Sequence, residues 1–317
     1  MADISDAELR EIYDFAVQLG KEAGDLLMTA AKSRWGTGGQ QQAFTEKDNS
    51  VDLVTKTDTE VEAFIRTSVA NKYPSHNFLG EETYSAGASR DYLVDDSPTW
   101  IVDPSTAPST SPTSSPLKGK PVIGVINAPF LNQTFSSCKG HGAWMNETQR
   151  LPLVLSPLPA NAPSGCVFSC EWGKDRRDTP DGNMHRKVES FMNMAAERGG
   201  RGGKGGMVHG MRSLGSATLD LAYTAMGSFD IWWEGGCWEW DVAAGFAILE
   251  EAGGLVTVAN PPEDTSIIPE AKLGGRLYLA IRPAAPTETE TGRQAQERVV
   301  RETWKRVRHL EYSRPGA

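Results

Sequence analysis

Asp58, Glu81, Asp103 and Asp241 are acidic residues placed where an element of secondary structure is expected to begin or end. Side chains at such positions can converge on one cleft while rigid elements hold them. A set made only of carboxylate oxygens suits a hard cation such as Mg2+, which keeps water and a substrate phosphate in its shell. Any one of these acids, taken alone, is more ordinarily a helix cap or a surface charge. Their flanking residues decide between the two.

The elements that must position them follow from periodicity. Ser5-x-x-Glu8 is a capping-box pattern. Leu9, Ile12, Ala16, Leu19, Ala23, Leu26 and Ala30 recur after it at helical spacing, so a first amphipathic helix is expected to end near Gly36. Thr57 or Asp58 caps a second helix carrying Val61, Phe64, Ile65 and Val69, which stops before Pro74. Residues 77–80 and 100–103 read as short strands, each running into a carboxylate, and 122–128 and 133–137 read as paired strands. A strand over 167–171 and helices over 185–197 and 214–226 follow, the last closed by Gly227. Then come a strand over 229–233, a helix over 241–252 closed by Gly253 and Gly254, strands over 255–259 and 277–281, and a charged helix over 290–310. This irregular alternation predicts an α/β fold, an α+β layered sandwich of helices and mixed sheets. The whole chain is expected to form one such domain. Its N-terminal lobe reaches about residue 160, its C-terminal lobe spans 161–285, and a C-terminal helix occupies 286–317. Residues 199–206, Gly-rich with Arg201 and Lys204, lack Walker spacing and read as a plain loop.

With 32 basic and 41 acidic residues the net charge is -9. An acidic chain without a long basic run is a poor partner for nucleic acid or a membrane surface. It can still hold an anion through a metal or a helix N-terminus. Cys138, Cys166, Cys170 and Cys237 do not make a disulfide framework in a chain this long, and no cluster completes a zinc site, so they are expected to be small buried side chains. An acidic start with no apolar signal region, and no run long enough to span a membrane, point to a cytoplasmic protein.

The flanks of the four acids are specific. Asp52-Leu-Val-Thr-Lys-Thr-Asp58, Gly80-Glu81-Glu82, Trp100-Ile-Val-Asp103-Pro104 and Trp240-Asp241-Val-Ala-Ala-Gly with Glu251-Ala-Gly-Gly254 occur in that order. Together with residues 72–76 and 209–217, this set resembles the inositol monophosphatase family of Mg2+-dependent, lithium-sensitive phosphatases. The resemblance runs from the first helix to Ile281. It implies that Glu81, Asp103 and Asp241 are metal ligands, and that Asp58, with a threonine partner, orients the attacking water. It implies that Lys47 lies near the phosphate, that Gly215, Ser216 and Ala217 line a polyol pocket, and that Glu234 binds a substrate hydroxyl. The reaction would be in-line attack of water on a small phosphate monoester, most simply myo-inositol monophosphate, with two or three Mg2+ stabilising the attacking and leaving oxygens. A homodimer is also implied. Alternatives are a nucleotide or sugar bisphosphate, the substrate of similar fungal proteins associated with quinate use, or a catalytically dead homologue with a binding role. The residues add their own support. Gly215 and Ser216 precede a helix whose first N–H groups are open to oxygen ligands, and Asp241 is expected to open another.

In the family, Asp-Pro is followed by Ile or Leu and then Asp-Gly-Thr, which supplies a second metal-bridging carboxylate, phosphate-binding N–H groups and the threonine partner. Here residues 105–116 read Ser-Thr-Ala-Pro-Ser-Thr-Ser-Pro-Thr-Ser-Ser-Pro. They contain no carboxylate, and Pro108 has no N–H. At face value they form a polar loop that leaves the central sheet one strand short. Codons of the form TCN, ACN, GCN and CCN become NTC, NAC, NGC and NCC when the frame slides back one base. The run then permits Ile-Asp-Gly-Thr-Leu-Asn-Phe-x-His-x-Phe-Pro. We read residues 105–116 as an out-of-frame translation of the family motif, with the frame restored near 118–121. Sequencing the transcript checks this: a message that encodes Ser-Thr-Ala-Pro with no shifted alternative overturns it. A chain lacking the motif is expected to bind metal poorly, because the remaining acids repel one another.

Overall fold

A stripe of buried apolar residues makes α1 (Asp6–Arg34) the first support of the fold. Ser5 Oγ accepts the Glu8 N–H at 3.3 Å, as the capping pattern requires. Ile12, Ala16, Leu19 and Ala23 are buried, but Leu26 is 43% exposed, so the stripe leaves the core earlier than the spacing predicts. The computed structural model describes residues 4–34, 44–46, 53–85, 87, 98–104, 109–113 and 120–313. The chain forms two compact units: Met1–Arg150 with Ala243–Ile248, and Leu151–Val242 with Leu249–Ala317.

In the first unit β1 (Phe44–Glu46) and β2 (Leu53–Thr55) form a small antiparallel pair, followed by α2 (Lys56–Lys72). A seven-stranded sheet holds β3 (Asn77–Gly80), β4 (Thr99–Asp103), β5 (Ser109–Thr113), β6 (Ile123–Ala128), β7 (Gln133–Cys138), β8 (Gly142–Met145) and β9 (Gln149–Arg150) in that order. In this sheet β3 and β4 run parallel to each other, and every other neighbouring pair is antiparallel. A short α3 (Glu81–Ser85) continues directly from β3. Ile12, Leu19, Val61, Ile65, Trp100, Val102, Ile123 and Val125 share one core, which fixes α1 and α2 on the sheet.

The expectation of a missing strand is corrected here. Residues 109–113, read as loop, pair with all of β4, from Thr99↔Thr113 to Asp103↔Ser109, and with β6 at two positions. Backbone N–H and C=O groups of buried strands need partners whatever the side chains are, and a polar segment close in sequence supplies them. Pro112 has no N–H to give a central strand.

In the second unit a five-stranded sheet has the order β11-β10-β12-β14-β13. These are β10 (Val167–Ser169), β11 (Gly210–Arg212), β12 (Ile231–Gly235), β13 (Leu255–Val258) and β14 (Leu277–Ile281). β10 is parallel to β11 and β12, and β14 is antiparallel to β12 and β13. Helices α4 (Asn183–Ala195), α5 (Ala217–Met226) and α7 (Gly292–Trp304) belong to it, and so do the two ends of α6 (Glu239–Glu251), whose residues Ala243–Ile248 belong to the first unit. Ile231 and Trp233, two apart on β12, pack with Phe168, Leu279, Ile281, Val299 and Trp304 in one core. Strand alternation puts Trp232 and Glu234 on the other face of β12. α7 is shorter than the 290–310 expected. Thr291 and Gln294 form a full capping box that sets its start, and the chain after Trp304 leaves the helix within a few residues. All four cysteines are buried, and burial pushes the Cys166 thiol up to about 12, so they are inert packing residues.

Candidate active site

Glu81 and Asp103 sit one residue beyond the register pair Gly80↔Val102, at the C-terminal ends of adjacent parallel strands. The residues just before them, Gly80 and Val102, are paired neighbours about 5 Å apart. Glu81 and Asp103 are both buried. The strand that carries Asp103 is braced by an aromatic cluster. Trp100 Nε1 donates to His76 Nδ1 at 3.0 Å, and Tyr73 stacks on the His76 ring at 4.8 Å. Residues 72–76, part of the family resemblance, thus act as support for β4.

Asp58 lies in the first turn of α2 and is buried. The helix begins at Lys56, so neither Thr57 nor Asp58 is the cap; both are already inside it. One turn on, Glu62 ties α2 to α3: its carboxylate accepts from Glu82 N at 2.7 Å, from Thr83 N at 2.8 Å and from the Thr83 hydroxyl. Asp58 shares that face of α2, four residues earlier. Glu62 was not foreseen, because it acts on residues twenty positions away. It also explains Gly80. A Cβ there would stand 2.3 Å from the Glu62 carboxyl carbon. Gly80→Ala is expected to cost about 1–3 kcal/mol of stability, read from urea unfolding midpoints.

In the second unit Asp241 stands in the first turn of α6, two residues after its start, and its Oδ2 accepts the Trp238 N–H at 2.6 Å. Its carbonyl accepts the Thr218 hydroxyl at 2.9 Å, joining the start of α6 to the start of α5. α5 begins at Ala217, not at 214. Ser216 is its N-cap, with Oγ accepting the Leu219 N–H at 3.3 Å, and Gly215 holds φ +80°, which suits glycine.

Glu234 departs from its expected task. It is 1% exposed and offers no open carboxylate to a hydroxyl. Lys187 Nζ donates to its Oε1 at 2.5 Å, Gly235 N to the same oxygen at 3.0 Å, and Glu171 N to Oε2 at 2.5 Å. Burial disfavours both charges of the pair. For Lys187 burial is the largest influence and lowers the pKa, but Glu234, Cys170 and Tyr312 together leave it raised; for Glu234 burial raises the pKa against the pull of Lys187. With three donors on Glu234, the ion pair is the form we assign.

Lys187, Glu171 and Asp220 were all missed by sequence reasoning. The signal for Lys187 was a lysine on the buried face of α4, in line with Asn183, Ser190 and Met194. Asp220 is fully buried on α5, with Oδ1 accepting from Ser169 Oγ at 2.6 Å and no donor in reach of Oδ2. Burial, with added repulsion from Glu171, pushes it up to about 9. Between about pH 4 and 9 the folded chain therefore holds a proton that the unfolded chain has lost, and stability falls as pH rises through that window. Asp220→Asn keeps the shape without the penalty. It is expected to raise stability at pH 7 by up to about 4 kcal/mol and to flatten the slope, measured by urea unfolding at pH 5, 7 and 9.

Among the described residues no three His, Cys, Asp or Glu side chains come together as a metal-holding group. Lys47 lies outside the described residues, as do residues 105–108 directly after Asp103-Pro104. The donors present are of the right kind for a hard cation, and they are one aspartate short of the set the resemblance requires.

A sequence model of the inositol monophosphatase family matches residues 8–104 and 116–308. The chain belongs to the inositol monophosphatase family. Its members are phosphatases that hydrolyse phosphate monoesters. The chain is 64% identical to "Quinic acid degradation cluster protein x" of Neurospora crassa, over 98% of this chain and 97% of that one. It is 62% identical to "Protein qutG" of Emericella nidulans over 98% of each, and 38% identical to "Inositol monophosphatase 2" of Saccharomyces cerevisiae over 76% of this chain and 79% of that one. Its fold matches the suhB protein of Bartonella henselae, with a TM-score of 0.65 at 24% identity over 92% of this chain and 98% of that one. It matches an inositol monophosphatase from Anabaena with a TM-score of 0.64, also at 24% identity, over 93% and 95%. The family match breaks at 105–115, where the Asp-Gly-Thr motif is expected. The Neurospora alignment takes 331 columns to cover 98% of a 317-residue chain, so roughly 20 columns hold no residue of this chain. Among the described residues no helix is long and apolar enough to cross a membrane.

Proposed function

We propose that this protein is built for Mg2+-dependent hydrolysis of a small polyol phosphate monoester, myo-inositol monophosphate first, and that a chain with residues 105–116 in place of Ile-Asp-Gly-Thr does so weakly or not at all. The observation that carries the reading is the Thr218–Asp241 hydrogen bond. It ties the helix start that would face a polyol, at Gly215, Ser216 and Ala217, to the acid that would hold metal. Glu81 and Asp103 would hold metal from the sheet, and Asp241 from α6. Bound Mg2+ would supply positive charge to the attacking and leaving oxygens. Asp58 would accept a proton from the water through a threonine that this chain lacks. Lys47 would neutralise phosphate charge. The N–H groups opening α5 would take substrate oxygens, with Ser216 fixing the helix start. The setting would be the cytoplasm.

A second substrate reading has a specific support. The Neurospora relative at 64% identity carries a quinic acid degradation cluster name, whereas the yeast inositol monophosphatase stands at 38%. A phosphate ester of a carboxylated cyclic polyol is therefore the next substrate to try. The experiment is phosphate release from inositol 1-phosphate, a quinic acid monophosphate, and nucleotide and sugar bisphosphates, each with and without Mg2+. Asp241→Asn is expected to lower whichever Mg2+-dependent rate appears by about 100-fold or more. A rate indifferent to Mg2+ and to Asp241→Asn defeats the proposal.

A further inference from the structure

Glu171, directly after Cys170 beyond the end of β10, makes hydrogen bonds that lead to two different places. Its Oε2 accepts the Ser213 hydroxyl at 2.7 Å. Its Oε1 accepts the Leu214 N–H at 2.5 Å and the Gly215 N–H at 2.8 Å. These three donors belong to one turn, the turn that delivers Gly215 and Ser216 to the start of α5. Through its backbone the same residue faces the other way. Its N–H donates to Glu234 Oε2 at 2.5 Å, and its carbonyl accepts from Lys187 Nζ at 2.7 Å. Lys187 and Glu234 are themselves buried and paired. Asp220, one turn into α5, is held neutral by burial, and the nearby Glu171 carboxylate adds to that effect.

We infer that Glu171 is the positioning residue of the polyol pocket, and that Glu234 acts on the substrate through it and not by touching a hydroxyl. This rests on the reading that Gly215, Ser216 and Ala217 line that pocket. The physical argument is one of rigidity. Residues 213–215 are exposed, carry a glycine at positive φ and belong to no helix or strand. Such a turn has many conformations of similar energy, and a ligand that needs one of them binds with reduced affinity. Three hydrogen bonds to one carboxylate select a single arrangement, and charge-assisted bonds are the strong class. The carboxylate can hold the turn only if its own backbone is fixed. The buried Lys187–Glu234 pair fixes it, at an N–H and a C=O of the same residue. A glutamine at 171 keeps the size of the side chain. Its amide offers one oxygen where two oxygens now accept, and it turns an NH2 toward a donor.

The test is Glu171→Gln, with Ser213→Ala as a second variant that removes a single donor from an exposed residue. Amide hydrogen exchange at Leu214 and Gly215 is read by NMR, thermal unfolding is read beside it, and inositol 1-phosphate is titrated calorimetrically with Mg2+. The titrations use this chain and the chain with the Ile-Asp-Gly-Thr motif restored. Glu171→Gln is expected to speed exchange of the two amides at least tenfold and to weaken inositol 1-phosphate at least tenfold. Ser213→Ala is expected to weaken it about threefold with an unchanged unfolding temperature. Unchanged exchange in Glu171→Gln overturns the inference. So does faster exchange with affinity within twofold of the parent, since the contact is then structural only. Should Glu171→Gln fail to fold, Ser213→Ala decides: no loss of affinity overturns the inference. If neither parent chain binds inositol 1-phosphate, the polyol reading itself has failed and this inference falls with it; the amide exchange, read without ligand, tells that outcome from the others.

Discussion

Replacing residues 105–120 with the in-frame reading that begins Ile-Asp-Gly-Thr-Leu-Asn-Phe is expected to raise Mg2+-dependent phosphate release by about 100-fold or more. The replacement returns three separate contributions. The aspartate adds a second carboxylate next to Asp103, so that metal charge is shared among more oxygens. The Gly-Thr pair returns backbone N–H groups for phosphate oxygens, where Pro108 now has none. The threonine returns the hydroxyl partner of Asp58. An apolar continuation would also replace Ser109–Thr113, which now fills the sheet between β4 and β6 while pairing with β6 at only two positions. The restored chain should therefore gain stability as well as activity. Activity equal in the two chains would show that the motif is dispensable here, and the out-of-frame reading would lose its functional meaning. A restored chain that folds and binds Mg2+ but releases phosphate from no polyol ester would move the assignment to the bisphosphates. A restored chain that does not bind Mg2+ would favour a homologue that has become a binding protein.

How much of this was legible in sequence depended on range. β3, β4, β6, β7 and the two closing glycines, Gly227 and Gly253, could be read because their signals are local: apolar runs, a terminal carboxylate, a residue at positive φ. Boundaries slipped where a distant or capping partner decides them. α5 starts at Ala217 because Ser216 caps it, and α6 starts at Glu239 because the Asp241 side chain holds the Trp238 N–H. β5 was read as loop because composition argued against a strand, whereas its place is set by the unpaired edges on either side of it. The polar framework of the second unit was out of reach. Ser169 meets Asp220 across 51 positions, Glu171 meets Gly215 across 44, and Lys187 meets Glu234 across 47. No periodicity encodes such pairs, so Glu234 looked like a ligand when the fold has turned it inward.

That inward turn leads to the other large effect. Lys187→Met is expected to destabilise the protein by about 3–5 kcal/mol, measured by urea unfolding at pH 7. Lys187 is 0% exposed and Glu234 1%, so neither charge can fall back on water. Without the ammonium, the carboxylate keeps only the Gly235 and Glu171 N–H groups. Those neutral donors replace part of the lost charge, which sets the size of the effect below that of a bare buried ion. The sign with pH follows. An unpaired Glu234 has its folded pKa raised further, so the variant's deficit should shrink as pH falls and the carboxyl takes up a proton. Glu234→Gln in the Lys187→Met background should recover most of the loss, because a buried pair replaced on both sides is often close to neutral. The double variant also separates charge from position. The amide oxygen that Glu234→Gln leaves in place can still accept the Glu171 N–H. Both variants nonetheless lose the Lys187 donor to the Glu171 carbonyl, so both should loosen the turn at 213–215 and speed exchange at Leu214 and Gly215, while only the double variant recovers stability. A Lys187→Met protein within about 1 kcal/mol of the parent would mean that the pair is not closed in solution, and Glu234 would then return to the list of groups open to substrate.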